Sequence, residues 1–258
     1  MSDGVRLAVG TFTRVPVRPP TSIDRQTAGT AMLLAPLVGL ALGLAGCVML
    51  LLADLASAPP MLVAVLTVAL LAWLTRALHW DGLADAADGL GSGATRTQAL
   101  TIMSDPAVGA FGVLGLVLVV LAQVSALTAL TAVDTASACL ALLTAVITGR
   151  LAVSLACLPA VPAARAHGLG ATVAGSVQPV AAAIGVLLVG VGLVAVGLVA
   201  DAAEPWIWLA ALVAGLLVGL GTLAVCVRRF GGLTGDVLGA VVEMSTTGAL
   251  VLATLLLT

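Results

Sequence analysis

Seven apolar runs of about 20 residues each dominate this chain and leave little choice of fold. They cover roughly 31–53, 60–79, 109–132, 136–158, 177–200, 205–227 and 237–257. Each is about long enough to cross the hydrocarbon core of a bilayer as a helix, which satisfies its own backbone polar groups. Only 9% of the residues are charged, against about 25% in a soluble domain, and 61% are hydrophobic. A soluble fold would lack the polar surface to cover such an interior. The expected fold is therefore all-α: a polytopic transmembrane helical bundle of about seven spans, one integral membrane domain over 1–258. Residues 4–30 precede the spans and carry Pro16, Pro19 and Pro20, so a short interfacial helix and a proline-broken loop are expected there. The four cysteines, Cys47, Cys139, Cys157 and Cys226, lie in apolar runs without metal-ligand spacing and read as small buried residues.

The connections between runs alternate in character. Those near 54–59, 133–135 and 201–204 are short and carry Asp54, Asp134, Asp201 and Glu204, with no arginine. Those near 80–108, 159–176 and 228–236 are longer and carry arginine, the only basic residue type in the chain. Two spans separate successive long connections, so these share one face with the N-terminal segment. The positive-inside rule makes that face cytoplasmic in a cell (plasma, or inner) membrane and puts the C-terminus outside. The bilayer is the implied surrounding. No nucleic-acid partner is expected, and a homo-oligomer is compatible with the sequence.

Chemistry concentrates in the first long connection, His79-Trp80-Asp81-Gly82-Leu83-Ala84-Asp85-Ala86-Ala87-Asp88-Gly89-Leu90. On a helix, Asp85 falls about 40° from Asp81 and Asp88 about 20° on the other side, so the three carboxylates form one stripe opposite Leu83 and Leu90. Like charges in a stripe repel, and a hard divalent cation such as Mg²⁺ or Mn²⁺ would relieve the cost. A solvated acidic face is the plain alternative. The helix is expected to continue the second span. Asp105 precedes Pro106 shortly before the third span, the pattern of a helix cap, with a metal or substrate contact as the functional alternative. Arg150 lies inside the fourth span, where a charge needs a polar cavity or a partner. Arg165 could bind phosphate, or simply mark the basic face. Arg228-Arg229-Phe230-Gly231-Gly232-Leu233-Thr234-Gly235-Asp236 reads either as a tight backbone loop near a ligand or as a plain turn between helices. Glu243 sits about two turns into the final span. Carboxylates, arginines and a glycine-rich loop on one face suit phosphoryl or nucleotidyl transfer by metal clamping and positioning. A divalent-cation transporter would instead place its acids near the bilayer midplane.

These blocks resemble, in order, those of the cobalamin synthase family, the adenosylcobinamide-GDP ribazoletransferases. Thr11-Phe12-Thr13-Arg14-Val15-Pro16-Val17 is similar to its FLTRIPV-type motif, His79 through Leu90 to HLDGLADTADGL, and Ile102 through Gly112 to IMKDSRIGAFG. Gly149-Arg150, Arg165 with Gly168-Leu169-Gly170, and Gly231 through Ala240 follow later blocks. Trp80 stands for the usual leucine, Ser104-Asp105-Pro106-Ala107 loosens its block, and Thr246 stands where the family often has a second acid. The resemblance implies that a hydroxyl of α-ribazole, or of its 5′-phosphate, attacks the corrinoid-side phosphorus of adenosylcobinamide-GDP and releases GMP, with Mg²⁺ required. It implies Asp81, Asp85 and Asp88 as metal ligands, with Asp105 or Asp236 completing the shell or orienting the hydroxyl. Arg14, Arg150, Arg165, Arg228 and Arg229, with Gly231, Gly232 and Thr234, become candidate substrate contacts, and His79 joins them by adjoining the stripe. A CDP-alcohol phosphatidyltransferase would show DGxxAR, whereas Asp85 follows Asp81-Gly82-Leu83-Ala84 here.

Overall fold

The computed structural model describes residues 1–200 and 204–258, so Asp201 in the third short connection lies outside the described residues. Among the described residues the chain forms twelve helices and no sheet. A short helix α1 (Asp3–Phe12) is followed by an irregular segment containing Pro16, Pro19 and Pro20. Next come α2 (Arg25–Leu33) and α3 (Ala35–Leu55), which run on as one apolar element, and then α4 (Pro60–Leu74). The acidic segment is α5 (Leu78–Gly91), and α6 (Arg96–Ile102) completes the first long connection. Beyond it lie α7 (Ala110–Val133), α8 (Thr135–Ala156), the short α9 (Leu169–Val173), α10 (Pro179–Ala200), α11 (Pro205–Phe230) and α12 (Gly235–Leu257).

Six elements are long and apolar enough to cross a membrane: α2–α3, α7, α8, α10, α11 and α12. They form a multi-pass helical bundle with α8 at its axis, where 83% of the most apolar stretch is buried against 17% in α10. Exposed leucines such as Leu44, Leu51, Leu118, Leu187 and Leu217 give the bundle an apolar exterior suited to lipid. One core cluster surrounds Leu127, Leu142, Trp208 and Leu250 within the spans. A second gathers Phe12, Met32, Phe230 and Val237 beneath the arginine-rich end. Charge follows the same division. Asp54, Asp134 and Glu204 stand at one end of the spans, and the loops carrying Arg76, Arg96 and Arg165 stand at the other.

The second expected span departs from its sequence description. The helix does not continue into the acidic stripe: α4 stops at Leu74 and α5 leaves at 91°. Arg76 and Ala77 adopt left-handed backbone angles, φ 57° and 54°. Ala77 N–H donates to the Ala72 carbonyl at 2.7 Å and closes the end of α4. With 15 residues, α4 is about 22 Å long, short of a core of about 30 Å. The acidic helix therefore lies across the end of the bundle and not along it.

What seats α5 there is a close backbone approach to α12. A β-carbon on Gly239 would fall 2.9 Å from the His79 carbonyl oxygen and 3.1 Å from Gly82 Cα, and one on Gly82 would fall 2.9 Å from Asp236 Cα. Only hydrogen fits between the helices at these positions. Gly239→Leu is expected to push α5 off α12 at a cost of about 1–3 kcal/mol, the usual size of overpacking. It should lower the midpoint of thermal unfolding in detergent; an unchanged midpoint would show that the two helices are not in this contact.

Candidate active site

The three long connections converge at one end of the bundle. Leu233 N–H donates to the Pro162 carbonyl at 2.8 Å and Ala164 N–H to the Leu233 carbonyl at 3.0 Å, a parallel bridge that joins the second connection to the third. An Arg165 guanidinium N–H donates to the Leu100 carbonyl and ties in the first. A cavity of about 310 Å³ opens among them. Its lining includes Thr11, Phe12, His79, Asp81, Arg165, His167, Gly170, Thr234 and Asp236.

Each polar wall has a local cause. Thr234 is the N-cap of α12: its hydroxyl accepts from Val237 N–H at 3.1 Å and donates to Asp236 Oδ2 at 3.2 Å. That cap fixes Asp236 in the first turn of α12, opposite Gly82 of α5. Asp81 is exposed on the cavity wall and Asp85 is half-buried one turn further along α5. Burial, followed by the negative charges of Asp236, Asp81 and Asp88, pushes the Asp85 carboxyl up to about 7, with Arg165 opposing. His79 is 4% exposed, stacks on Phe12 with ring centroids 6.0 Å apart, and neither of its ring nitrogens has a partner. Burial and then the Arg150 charge hold its imidazole well below the usual range.

Asp88 does something other than the stripe suggested. Its two carboxylate oxygens accept from Gly109 N–H at 2.7 Å and Gly112 N–H at 2.8 Å, which caps the start of α7. A carboxylate at a helix N-terminus meets both free amides and the positive end of the dipole. Asp105 does not cap this helix. It lies in an exposed turn, accepts from Ala107 N–H at 2.9 Å, and stands outside the cavity lining. Among the described residues no three His, Cys, Asp or Glu side chains come together as a ready metal cage. The expected trio of Asp81, Asp85 and Asp88 is thus divided: two face Asp236, and the third is turned toward α7.

The arginines divide as well. Arg165 lines the cavity. Arg229 donates to the Ala94 carbonyl at 2.6 Å and holds the loop before α6. Arg228 donates to the Ala224 carbonyl of its own helix at 3.2 Å. Arg14 lies over the Trp73 ring, 3.7 Å from its centroid, at the end of α4. Arg150 is buried in the bundle beside a separate small space. Gly231, at φ 79°, ends α11 in the left-handed conformation, and Gly232 packs against the backbone of Pro162 and Ala163. Both shape the turn rather than line the cavity. Phe12 and Gln123 were not singled out in the sequence. Gln123, a lone amide inside an apolar span, was the available signal.

These features define a class: a polytopic α-helical membrane protein with an acidic and arginine-bearing cavity at one end of its bundle. Residues 4–254 match the family model described as cobalamin-5-phosphate synthase, and the chain belongs to that family. It is 42% identical over 250 residues to an adenosylcobinamide-GDP ribazoletransferase of Nocardioides sp., covering 97% of each chain. A Frankia casuarinae protein of the same description is 41% identical, over 95% of this chain and 92% of that one. One from Bradyrhizobium diazoefficiens is 35% identical, over 92% and 87%. No solved structure matches the chain.

The two aspartates should part company in stability. Asp88→Asn leaves a helix amide without its charged acceptor and is expected to destabilise by about 1.5–3 kcal/mol. Asp85 has a folded pKa raised from 3.8 to about 7, so the native state is penalised as pH rises through that window and fully so above it. Without divalent cation at pH 8, Asp85→Asn should therefore raise the thermal midpoint while Asp88→Asn lowers it. Equal losses from both would contradict these roles.

Proposed function

We propose that this chain transfers α-ribazole, or its 5′-phosphate, to adenosylcobinamide-GDP, giving adenosylcobalamin, or its 5′-phosphate, and GMP. The observation that carries the reading is the meeting of Asp81 and Asp236 with Arg165 in one cavity, with Asp85 close enough on α5 to feel the charges of all three, in a chain whose relatives bear the ribazoletransferase name. The ribazole hydroxyl oxygen forms a bond to the corrinoid-side phosphorus. The bond from that phosphorus to the bridging oxygen breaks, GMP leaves with the electron pair, and the hydroxyl proton is lost.

The donor set suits Mg²⁺. Burial first, and then the neighbouring carboxylates, raise the Asp85 carboxyl, and a bound cation would favour its ionised form. Mg²⁺ typically takes one or two carboxylates and completes its shell with water and phosphate oxygens, so a full protein cage is not required. Asp81 and Asp85, with Asp236 beside them, would hold it. When bound, the cation neutralises the diphosphate and the departing phosphate. Arg165 adds a fixed positive charge to the same cavity. His79 lines the same cavity with both ring nitrogens buried and unpartnered, and would hydrogen-bond a substrate group that reaches them. The cavity of about 310 Å³ lies at the small end of ligand sites, so it takes the diphosphate region and leaves the corrinoid outside. The arginine-rich end, and with it the N-terminus, faces the cytoplasm of a cell (inner) membrane, and the C-terminus lies outside.

The test is an assay of the purified protein with adenosylcobinamide-GDP, α-ribazole and Mg²⁺. Cobamide formation with stoichiometric GMP release is expected, and absence of both would sink the proposal. Asp85→Asn should abolish turnover while leaving membrane insertion intact. Proton and cation compete for Asp85, so the Mg²⁺ concentration for half-maximal rate should rise as pH falls from about 8 to about 6, across the raised pKa of about 7. A requirement independent of pH would argue against Asp85 as a ligand.

A further inference from the structure

Beneath the acidic helix the bundle encloses a second polar space of about 20 Å³, lined by Thr75, Trp80, Gln123, Arg150, Glu243 and Thr246. A buried water requires roughly 10–15 Å³ measured in this way, so the space admits one. Arg150 and Glu243 are each 4% exposed and Gln123 is 5% exposed. Gln123 Nε2 donates to Glu243 Oε2 and to Thr247 Oγ1, both at 3.0 Å. That contact accounts for one oxygen of Glu243. Among the described residues Arg150 has no ion pair, and its Nε is buried without a partner. A guanidinium and a carboxylate thus stand on either side of a one-water space inside a membrane bundle, where unpaired charge is expensive.

The location gives this pair a task. Trp80 directly precedes Asp81, and Thr75 ends α4, so both walls of the elbow between α4 and α5 border the space. Glu243 lies one turn beyond Gly239, the residue on which α5 rests. We propose that a single buried water bridges Arg150 and Glu243, and that this bridge positions the α4–α5 elbow so that His79 and Asp81 face the catalytic cavity. Arg150 and Glu243 are positioning residues: they act through α5 and do not touch substrate. The activity readout rests on the transferase function proposed above, so stability is measured in parallel.

The experiment compares wild type, Arg150→Met, Glu243→Gln, the double variant and Arg150→Lys, each purified in detergent. Each neutralising single variant leaves one buried charge unbalanced and should lower the thermal midpoint. The double variant should recover most of that loss, because no unpaired charge remains. Its kcat should nevertheless stay about 100-fold below wild type, the scale of a displacement of about 1 Å, with KM for adenosylcobinamide-GDP within about threefold. Arg150→Lys keeps the charge and should turn over faster than the double variant. A double variant with recovered midpoint and wild-type kcat would show a purely structural pair and overturn the proposal. So would additive losses of midpoint, a raised KM at unchanged kcat, or a lysine variant no better than the double. A wild-type protein without turnover would defeat the transferase function instead. The midpoints alone would then decide the bridge, with recovery in the double supporting it and additive losses overturning it.

Discussion

Two glycines in contact, Gly82 of α5 and Gly239 of α12, set the geometry on which the site depends. With hydrogen as the only side chain at the crossing, the acidic helix can lie directly on the start of the last span. This proximity brings Asp81 and Asp85, from one end of the sequence, against Asp236 from the other. It also leaves Asp88 buried against α7, where its carboxylate caps that helix and locks it to the pair. The triangle of α5, α7 and α12 is then closed lower down by Gln123, which hydrogen-bonds Glu243 and Thr247.

Electrostatically the arrangement is under tension by design of its parts. Burial disfavours the charge on Asp85, the neighbouring carboxylates add to this, and Arg165 opposes it without cancelling it. Other basic side chains nearby are committed elsewhere: Arg229 to the Ala94 carbonyl, Arg14 to the Trp73 ring. The packing energy of the bundle sustains the tension. On the proposed function, a divalent cation arriving with a diphosphate would supply charges of both signs at once, and so would enter without leaving either one exposed to the apolar interior.

Much of this was legible in the sequence. Apolar run length gives the spans, because a bilayer imposes a minimum helix length that no other feature overrides. The alternation of arginine-bearing and arginine-free connections foretells which loops meet, and they do meet. The elbow was not legible. Its turn is made by Arg76 and Ala77, neither of which signals left-handed backbone, and it forms because α5 has a seat on α12 far along the chain. The cap of α7 misled for the same reason. Asp105-Pro106 satisfies every local rule for a helix start, but a carboxylate delivered from α5 reached the amides of Gly109 and Gly112 instead. Among the arginines, composition could not separate Arg165, which faces the cavity, from Arg229 and Arg14, which hold loops and helix ends. Only tertiary contacts make that distinction.

The seat of α5 has a consequence for how the protein comes into being. The ribosome completes the acidic helix early and must synthesise slightly more than half of the chain before α12 follows. Throughout that interval α5 lacks its seat on α12, and a 15-residue α4 is too short to anchor it by spanning the core alone. The acidic helix therefore gains its final position only when the last span enters and offers it a backbone to rest on. The site is completed by its last span: a nascent chain cut short before Gly239 can hold Asp88 on α7, but it lacks the backbone that seats Asp81 and Asp85 against Asp236.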